Sequence, residues 1–450
     1  MPRSTIIDNL GLFLSLGCLE QLRSWLATAE LDEDTLRLLR IQIDSHLNFL
    51  RLRAMGSDWL DVHPTERQRA KASEALPGIE AWRASLEPEG LESRIREVTG
   101  RERWEHGSSS AKDHDEQSAA VYERLAAEVV KSPEVMDGLR EWFDSDRARS
   151  AFEFGSALAR QDDSFVLLER MFTNLLEDRA TNLLIGYFDG IKRKFGSLPQ
   201  ALSQLLDTVG ETRPLSVTLI TLQSDMSAAG FERLLRLVPL SGPNPSARLR
   251  PLYYRDWAQK LSDEQKAQVL DLLASFGLGG DIWAYKVALD LITYWGHEVW
   301  KVLPESIATL VAKMLEACLA GTHHFDAWDW TRAVRKLPAS HTLQKIDLLT
   351  RSLIGQGHCI EISDDALDML SELAQESSEE VMRSVGARAL DSETSVYFFA
   401  SEFHGLFESI GLDVVRRWIE REAGVAGARA IARHIDSLRR PSIIQRRYRH

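Results

Sequence analysis

Apolar residues recur at intervals of three and four along most of this chain, the spacing that puts side chains on one face of an α-helix. Sustained alternation with a period of two, which is typical of half-buried strands, is nearly absent. The pattern therefore predicts an all-α protein. The clearest stripe contains Ile307, Leu310, Val311, Met314, Leu315, Cys318 and Leu319, and a second one contains Val425, Ala428, Ile431, Ala432, Ile435 and Leu438.

One segment competes with this prediction. Residues 215–222 (LSVTLITL) are rich in β-branched side chains, but they lie between helical patterns and have no partner strand. We predict that they form a buried helix. Hydrophobic residues make up 44% of the chain and charged residues 27%, values that exclude a mainly disordered chain and a polytopic membrane protein. No apolar run reaches the ~18 residues of a membrane-spanning helix.

Composition divides the chain into four parts. Residues 1–104 are predicted to form a smaller N-terminal helical region, in which Asp32-Glu33-Asp34 marks a helix start because carboxylates stabilise the positive end of the helix dipole. Residues 105–118 contain almost no apolar side chains, which predicts a polar linker or loop. Residues 119–438 are predicted to form a helical-repeat domain, and residues 439–450 a basic C-terminal tail.

Leu-Pro pairs punctuate the predicted repeat domain. A proline ends the preceding helix, because it lacks an N–H donor, and fits the start of the next helix. Two Asp-x-Trp segments, 281–283 and 326–328, precede helical patterns and lie about 45 residues apart, a spacing found in helical repeats. We predict an α-solenoid-like (HEAT-like) array of antiparallel helix pairs. The alternative is an irregular helical domain with chance pairs. The pairs are Leu198-Pro199, Leu303-Pro304 and Leu337-Pro338, with Val238-Pro239 as a relative.

Four segments resemble one group of bacterial proteins. They are Phe152–Leu158 (FEFGSAL), Gly186–Ile191 (GYFDGI), Ser262-x-Glu264 at a helix start, and Trp418–His434. Together they resemble the helical-repeat, HEAT-like C-terminal regions of bacterial conflict and anti-phage defence proteins, which are often attached to an NTPase or another effector. The resemblance covers about residues 120–438. Since this sequence carries no nucleotide-binding or effector motif, the resemblance implies a recognition or scaffold subunit whose effector or NTPase partner lies on another chain.

The sequence lacks the motifs of common catalytic sites. It has no P-loop, no dinucleotide-binding fingerprint, no nucleophile elbow and no His-Glu-x-x-His zinc motif. The glycine-rich segment 277–280 follows a helical pattern and is predicted to be a helix C-cap and turn. We therefore expect a non-enzymatic, cytoplasmic protein that binds another protein, with no catalytic residue and no cofactor.

The best candidate for a metal site is the segment 322–330 (THHFDAWDW). His323, His324, Asp326 and Asp329 are residue types that ligate transition metals, and they would serve a metal-dependent hydrolase, the third functional hypothesis. Asp326 also stands where a helix N-cap belongs, so capping accounts for this aspartate without a metal. We predict no metal site in this segment.

Five of the twelve tryptophans fall between positions 283 and 330. Core packing between helices is one interpretation of this density. An exposed aromatic surface that anchors a protein partner is the other, since tryptophan is enriched in binding hot spots. The candidate partner-binding residues are Trp283, Trp295, Trp300, Trp328 and Trp330.

The C-terminus reverses the charge balance of the chain. The net charge is −13, which argues against a general nucleic-acid coat, yet residues 429–450 hold seven arginines and one aspartate. This basic face is suited to nucleic acid or to an acidic protein surface, and nucleic-acid binding is the second functional hypothesis. A solvated helix end is the alternative. The candidate contact residues are Arg429, Arg433, Arg440, Arg446, Arg447 and Arg449.

The three cysteines, Cys18, Cys318 and Cys359, are few and far apart. Their spacing excludes a disulfide framework and a four-cysteine zinc site, and it predicts a reduced, cytoplasmic location. The apolar run 10–19 is the one feature that suggests export, but a single basic residue precedes it. We interpret this run as part of an amphipathic helix that continues to Leu26.

Overall fold

The computed structural model describes residues 9–15, 17–28, 31–56, 64–101, 111–173, 178, 181–253, 255–298, 300–320, 325–353, 364–390, 404–422, 428 and 431–432. Every regular element among these residues is helical, and no strand occurs in them, which confirms the predicted all-α class. None of the helices in these ranges is both long enough and apolar enough to cross a membrane. The chain forms two compact units, Met1–Leu237 and Val238–His450.

The described residues of the first unit form a succession of helices. They are α1 (Leu10–Ser15), α2 (Leu19–Thr28), α3 (Glu33–Met55), α4 (Glu66–Ser85), α5 (Gly90–Thr99), α6 (Ala111–Lys131), α7 (Val135–Gly138), α8 (Arg140–Phe143), α9 (Ala151–Gln161), α10 (Val166–Thr173), α11 (Asn182–Phe195), α12 (Gln200–Gly210), α13 (Pro214–Ser224) and α14 (Ala228–Leu237).

The second unit begins with short 3-10 segments and continues with longer α-helices. The α-helices are α15 (Ser246–Leu249), α16 (Arg255–Lys260), α17 (Asp263–Leu278), α18 (Ala284–Glu298), α19 (Glu305–Leu319), α20 (Ala327–Lys336), α21 (Thr342–Leu353), α22 (Asp364–Glu376), α23 (Ser378–Leu390), α24 (His404–Ile410) and α25 (Leu412–Arg421). The 3-10 helices are Val238–Leu240, Arg250–Tyr253 and Ala339–His341.

Helix starts lie where capping residues predicted them. Asp32 accepts a hydrogen bond from the Thr35 N–H (2.7 Å) and caps α3. Asp326 accepts hydrogen bonds from the N–H groups of Trp328 and Asp329 at the start of α20. Each carboxylate satisfies donors that have no partner inside their own helix. The predicted N-cap role of Asp326 is confirmed.

Proline also marks boundaries as expected. Pro199 and Pro304 immediately precede α12 and α19 with an extended backbone, and Pro338 immediately precedes the 3-10 helix that leads into α21. The ambiguous segment 215–222 lies in α13, which starts at Pro214. Most of its side chains are buried, so the prediction of a buried helix is confirmed.

Helices α9 and α11 pack backbone against backbone. A Cβ atom at Gly155 would lie 2.1 Å from the Leu183 carbonyl oxygen, and one at Gly186 would lie 2.0 Å from the Phe152 carbonyl oxygen. No side chain fits at either position, so both glycines are required by the close approach of the two helices. The segments FEFGSAL and GYFDGI, which are separate in the sequence, therefore form one helix–helix interface.

Three arginines and three carboxylates connect α3, α4 and α5. We call Arg40, Arg83, Arg101, Glu33, Asp44 and Glu97 the first-unit network. Arg40 Nε lies 2.9 Å from Glu97 Oε2, and their side chains are only 2% and 5% exposed. Arg101 contacts Glu97, and its Nη2 atom lies 2.6 Å from Asp44 Oδ2. Burial alone would lower the pKa of Arg101, but Glu97 and Asp44 outweigh burial and raise this pKa above its ordinary value.

Helices of the second unit pack mainly against near neighbours in the sequence. From α17 to α25, the closely packed pairs are one or two helices apart, as for α17 with α18 and α19. The predicted stripe on α19 lies in the core, where Ile307, Val311 and Leu315 are fully buried. Cys318 follows them, and burial raises the pKa of its thiol to about 12.

The predicted linker at 105–118 differs from the structure. Residues 102–110 lie outside the described ranges, but the backbone is already helical at Ala111, where α6 begins. The loop prediction therefore does not hold for 111–118. Alanine, lysine, glutamate and glutamine are strong helix formers, and they extend a helix whose later turns are held by packing, even without apolar side chains of their own.

Two other boundaries differ from expectation. The limit between the compact units falls after Leu237, inside the predicted repeat domain 119–438, where prolines and 3-10 segments interrupt the succession of α-helices. The run 10–19 does not form one continuous helix with Leu22 and Leu26. Gly17 breaks it with φ of 79°, a conformation that glycine adopts without strain.

Candidate functional site

Of the five candidate tryptophans, three are buried and two are exposed. Trp295, Trp300 and Trp330 are buried, and each indole N–H donates a hydrogen bond inside the second unit. The acceptors are the Leu252 carbonyl (2.9 Å), Asp263 Oδ1 (2.9 Å) and the Leu315 carbonyl (3.1 Å), respectively. Buried indoles with satisfied N–H groups belong to the core. Core packing is therefore the correct interpretation for these three residues.

Trp283 lies on an exposed turn between α17 and α18. It is 42% exposed, and two nearby apolar side chains are also exposed, Leu278 (85%) at the end of α17 and Ile282 (43%) in the turn. We call these three residues the apolar turn. Gly280 has φ of 94°, and Asp281 Oδ1 accepts a hydrogen bond from the Trp283 N–H at 3.0 Å. These features fix the backbone, so the exposed side chains sit on a defined surface.

Trp328 is the second exposed tryptophan, at 48%. The guanidinium carbon of Arg332 lies 3.9 Å from the centre of its ring, one helical turn further along α20. This geometry is a cation–π contact, in which the positive group lies on the electron-rich ring face. Trp328 therefore carries a positive charge close to its surface.

Arg332 and Trp328 belong to the wall of a cavity of about 470 Å³. Four basic side chains line it: Lys301, Arg332, Arg335 and Lys336. Among the described residues, its lining holds one carboxylate, that of Asp365 at the start of α22. We call this space the cationic cavity. Its volume lies within the range of small-molecule sites.

Hydrogen bonds connect the chain segments that line the cationic cavity. The Leu303 N–H donates to the Lys336 carbonyl (2.8 Å), which ties the segment carrying Lys301 to the end of α20. Lys336 Nζ donates to the carbonyls of Ile292 and Thr293, at 3.0 and 3.2 Å. Burial, and then the nearby charge of Arg332, lower the pKa of Lys336 to about 8.

The basic groups of the cavity differ from other arginines of the protein in their lack of carboxylate partners among the described residues. Within the part of the chain that the structure describes, no ion pair joins Lys301, Arg332, Arg335 or Lys336 to an aspartate or glutamate. Most clustered arginines of the first unit, by contrast, contact carboxylates. The cationic cavity therefore holds an excess of positive charge in an acidic protein, which suits it to bind an anion.

Only part of the candidate metal segment 322–330 lies within the described residues. His323 and His324 lie outside the described residues. Asp326 caps α20, and Asp329 is nearly buried. Burial, followed by the charge of Asp290, raises the pKa of Asp329. Across the described ranges, no group of three or more histidine, cysteine, aspartate or glutamate side chains has a geometry that suits a metal ion.

The candidate contact residues at the C-terminus are all arginines. They all lie outside the described residues, and so does the proposed tail at 439–450. Two apolar positions from the stripe beside them, Ala428 and Ile431, are buried. The candidates concerned are Arg429, Arg433, Arg440, Arg446, Arg447 and Arg449.

Sequence reasoning missed the basic wall of the cavity. The signal within α20 was present, because Trp328, Arg332 and Arg335 share one helix face through spacings of four and three. Lys301 and Asp365 carried no such signal, since they reach the cavity from other segments of the chain. No family model, curated protein or solved structure matches this chain.

Proposed function

We propose that this protein is a non-enzymatic helical-repeat protein that binds another protein and acts as a scaffold or recognition subunit. One observation carries this proposal: the apolar turn exposes Leu278, Ile282 and Trp283 together on a fixed backbone. Exposed apolar clusters are costly in water and are common at protein interfaces. A tryptophan among them is the residue type most enriched in binding hot spots.

The proposal includes an α-solenoid-like arrangement of antiparallel helix pairs. The packing of α17 to α25 supports it, because neighbours one and two positions apart contact each other, as in a two-layered stack. Such arrays extend a continuous surface along one side, which is how helical repeats commonly bind partners.

We further propose a cytoplasmic role in a bacterial anti-phage defence complex, with an effector or NTPase subunit on another chain as the partner. The resemblance of the FEFGSAL and GYFDGI segments to helical regions of defence proteins supports this part. The close packing of these two segments against each other is a specific structural reason for their glycines.

The test is purification of the tagged full chain from its native host, followed by size-exclusion chromatography with light scattering. We expect a complex of defined stoichiometry. A variant with Leu278→Ser and Trp283→Ala should lose the partner, with affinity reduced about 30-fold or more, the effect of removing a hot spot. Leu343→Ser is the matched control, because Leu343 is 66% exposed but lies on α21.

Two results would contradict the proposal. A persistent lone monomer with no bound protein would remove the scaffold function. A complex that survives the double substitution would show that the apolar turn is not the contact surface. The identity of the genes next to this one would test the defence assignment directly.

The other two functional hypotheses keep their own tests. Nucleic-acid binding through Arg429 and the later arginines predicts an affinity that falls with salt and with removal of residues 429–450. A metal-dependent hydrolase predicts stoichiometric metal in the purified protein. Neither gains support from the described residues, so the protein-binding function is the one we put forward.

A further inference from the structure

We propose that the cationic cavity is a binding site for a small phosphorylated molecule, whose phosphoryl groups lie against Lys301, Arg332 and Arg335. The site uses none of the residues of the apolar turn, so this inference is independent of the protein-binding function. It rests on the charge, the size and the construction of the cavity.

The positive charge of the cavity favours a multiply charged anion as its ligand. Among the described residues that line it, four basic side chains share this space with one carboxylate, Asp365. A single carboxylate ligand would leave most of the positive charge unbalanced. Phosphoryl groups carry up to two negative charges each and three acceptor oxygens, and arginine forks match their geometry. Phosphorylated ligands therefore fit the cavity better than simple carboxylic acids.

Of the four basic side chains that line the cavity, one holds two helices together and three are available to contact a ligand. Lys336 donates to the carbonyls of Ile292 and Thr293, so it holds α20 against α18. Lys301 and Arg335 are exposed, and the guanidinium group of Arg332 lies over the Trp328 ring. These three side chains can turn to an anion without breaking the hydrogen bonds of Lys336.

The aromatic wall allows for more than phosphate alone. Trp328 remains about half exposed despite its contact with Arg332, and Trp300 forms a buried part of the same lining. A flat ring attached to the phosphoryl groups would have an indole surface to contact. Phosphoryl groups of a nucleotide and those of free pyrophosphate share the same chemistry here, and only binding measurements distinguish them.

Isothermal titration calorimetry of the full chain at low salt tests the inference. ATP, pyrophosphate and adenosine are the probes. We expect one molecule of ATP or pyrophosphate to bind per chain, more weakly as salt rises, and adenosine not to bind. If ATP binds more tightly than pyrophosphate, and Trp328→Ala removes that advantage, the ligand is a nucleotide. Equal affinities identify a site for the phosphoryl groups alone.

The decisive variant is Arg332→Gln with Arg335→Gln. Loss of two charge-assisted hydrogen-bonding groups should reduce the affinity for either phosphorylated probe roughly 100-fold. Arg417→Gln is the matched control, because Arg417 is an exposed arginine of α25 paired with Glu379. Circular dichroism and melting confirm that each variant is folded. If the double variant does not fold, the two single variants replace it, each with a loss of roughly tenfold.

Three results would overturn the inference. The first is that neither ATP nor pyrophosphate binds the parent protein. The second is that adenosine binds as tightly as ATP. The third is that the Arg417 variant loses as much affinity as the cavity variants. None of these results bears on the apolar turn, whose partner is measured separately by co-purification.

Discussion

The first-unit network and the cationic cavity both contain clustered basic side chains, but these side chains differ in their pairing with carboxylates. In the network, Arg40 and Arg101 are nearly buried and contact Glu97. In the cavity, Arg332 and Arg335 border open space, whose described lining contains a single carboxylate. The same residue type is thus neutralised within the protein in one region and left available in the other.

The difference follows from the cost of burying charge. An unpaired charge removed from water is strongly unfavourable, so a buried arginine needs hydrogen bonds, carboxylates or both around it. A cation beside a cavity open to solvent does not have this requirement. Pairing therefore identifies the network as structural, and the lack of pairing among the described residues of the cavity makes it a candidate for ligand binding.

The largest effect is expected in the first-unit network. Glu97→Gln removes the charge shared by Arg40 and Arg101 and leaves buried guanidinium groups without full compensation. The free energy of unfolding of the first unit should fall by about 3 to 5 kcal/mol. Urea denaturation followed by circular dichroism measures this change.

Glu128→Gln provides the matched control for that substitution. Glu128 pairs with Arg94 at 2.6 Å, but both side chains are more than a third exposed. Its loss should cost about 1 kcal/mol or less. Equal losses for the two variants would mean that the buried network does not differ energetically from a surface pair, and the comparison would fail.

An intermediate effect on the unfolding free energy is expected at Lys336, which lines the cavity and also holds α20 against α18. Its pKa is lowered to about 8 in the folded protein, from 10.5. Between these two values the unfolded chain binds more protons than the folded one, so the contribution of Lys336 to the unfolding free energy rises with pH. The gain should be on the order of 1 kcal/mol after solvent screening.

Lys336→Met tests this contribution. The difference in unfolding free energy between parent and variant should shift in favour of the parent as the pH rises from about 8 to 10.5. Lys313→Met, at an exposed lysine of α19, should leave the pH dependence of the parent unchanged. A flat difference for Lys336→Met would show that its ammonium group is not affected by burial.

The smallest effect on stability is expected for Arg332→Gln and Arg335→Gln, measured without ligand. Neither side chain holds a carboxylate among the placed residues, so each replacement should change the unfolding free energy by about 0.5 kcal/mol or less. A thermal melt is sufficient to measure this. A loss comparable to that of Glu97→Gln would mean that the cavity arginines are structural after all.

The sequence predicted the helices because their causes are local. Asp326 and the prolines at 199 and 304 determine helix starts through neighbouring N–H groups and backbone angles. It did not predict the first turns of α6, where helix formers without apolar side chains resembled a linker. It also did not find the cavity, whose wall includes Lys301 and Asp365 from outside α20.

The sequence by itself therefore determined the all-α class, the capped ends of helices and the apolar stripe of α19, since each depends on residues a few positions apart. Tertiary structure alone decided that Trp330 is buried while Trp328, two residues earlier, is exposed. It also decided that the glycines of α9 and α11 meet. Such outcomes depend on which helices come together, and contacts between distant segments leave no periodic trace in a single sequence.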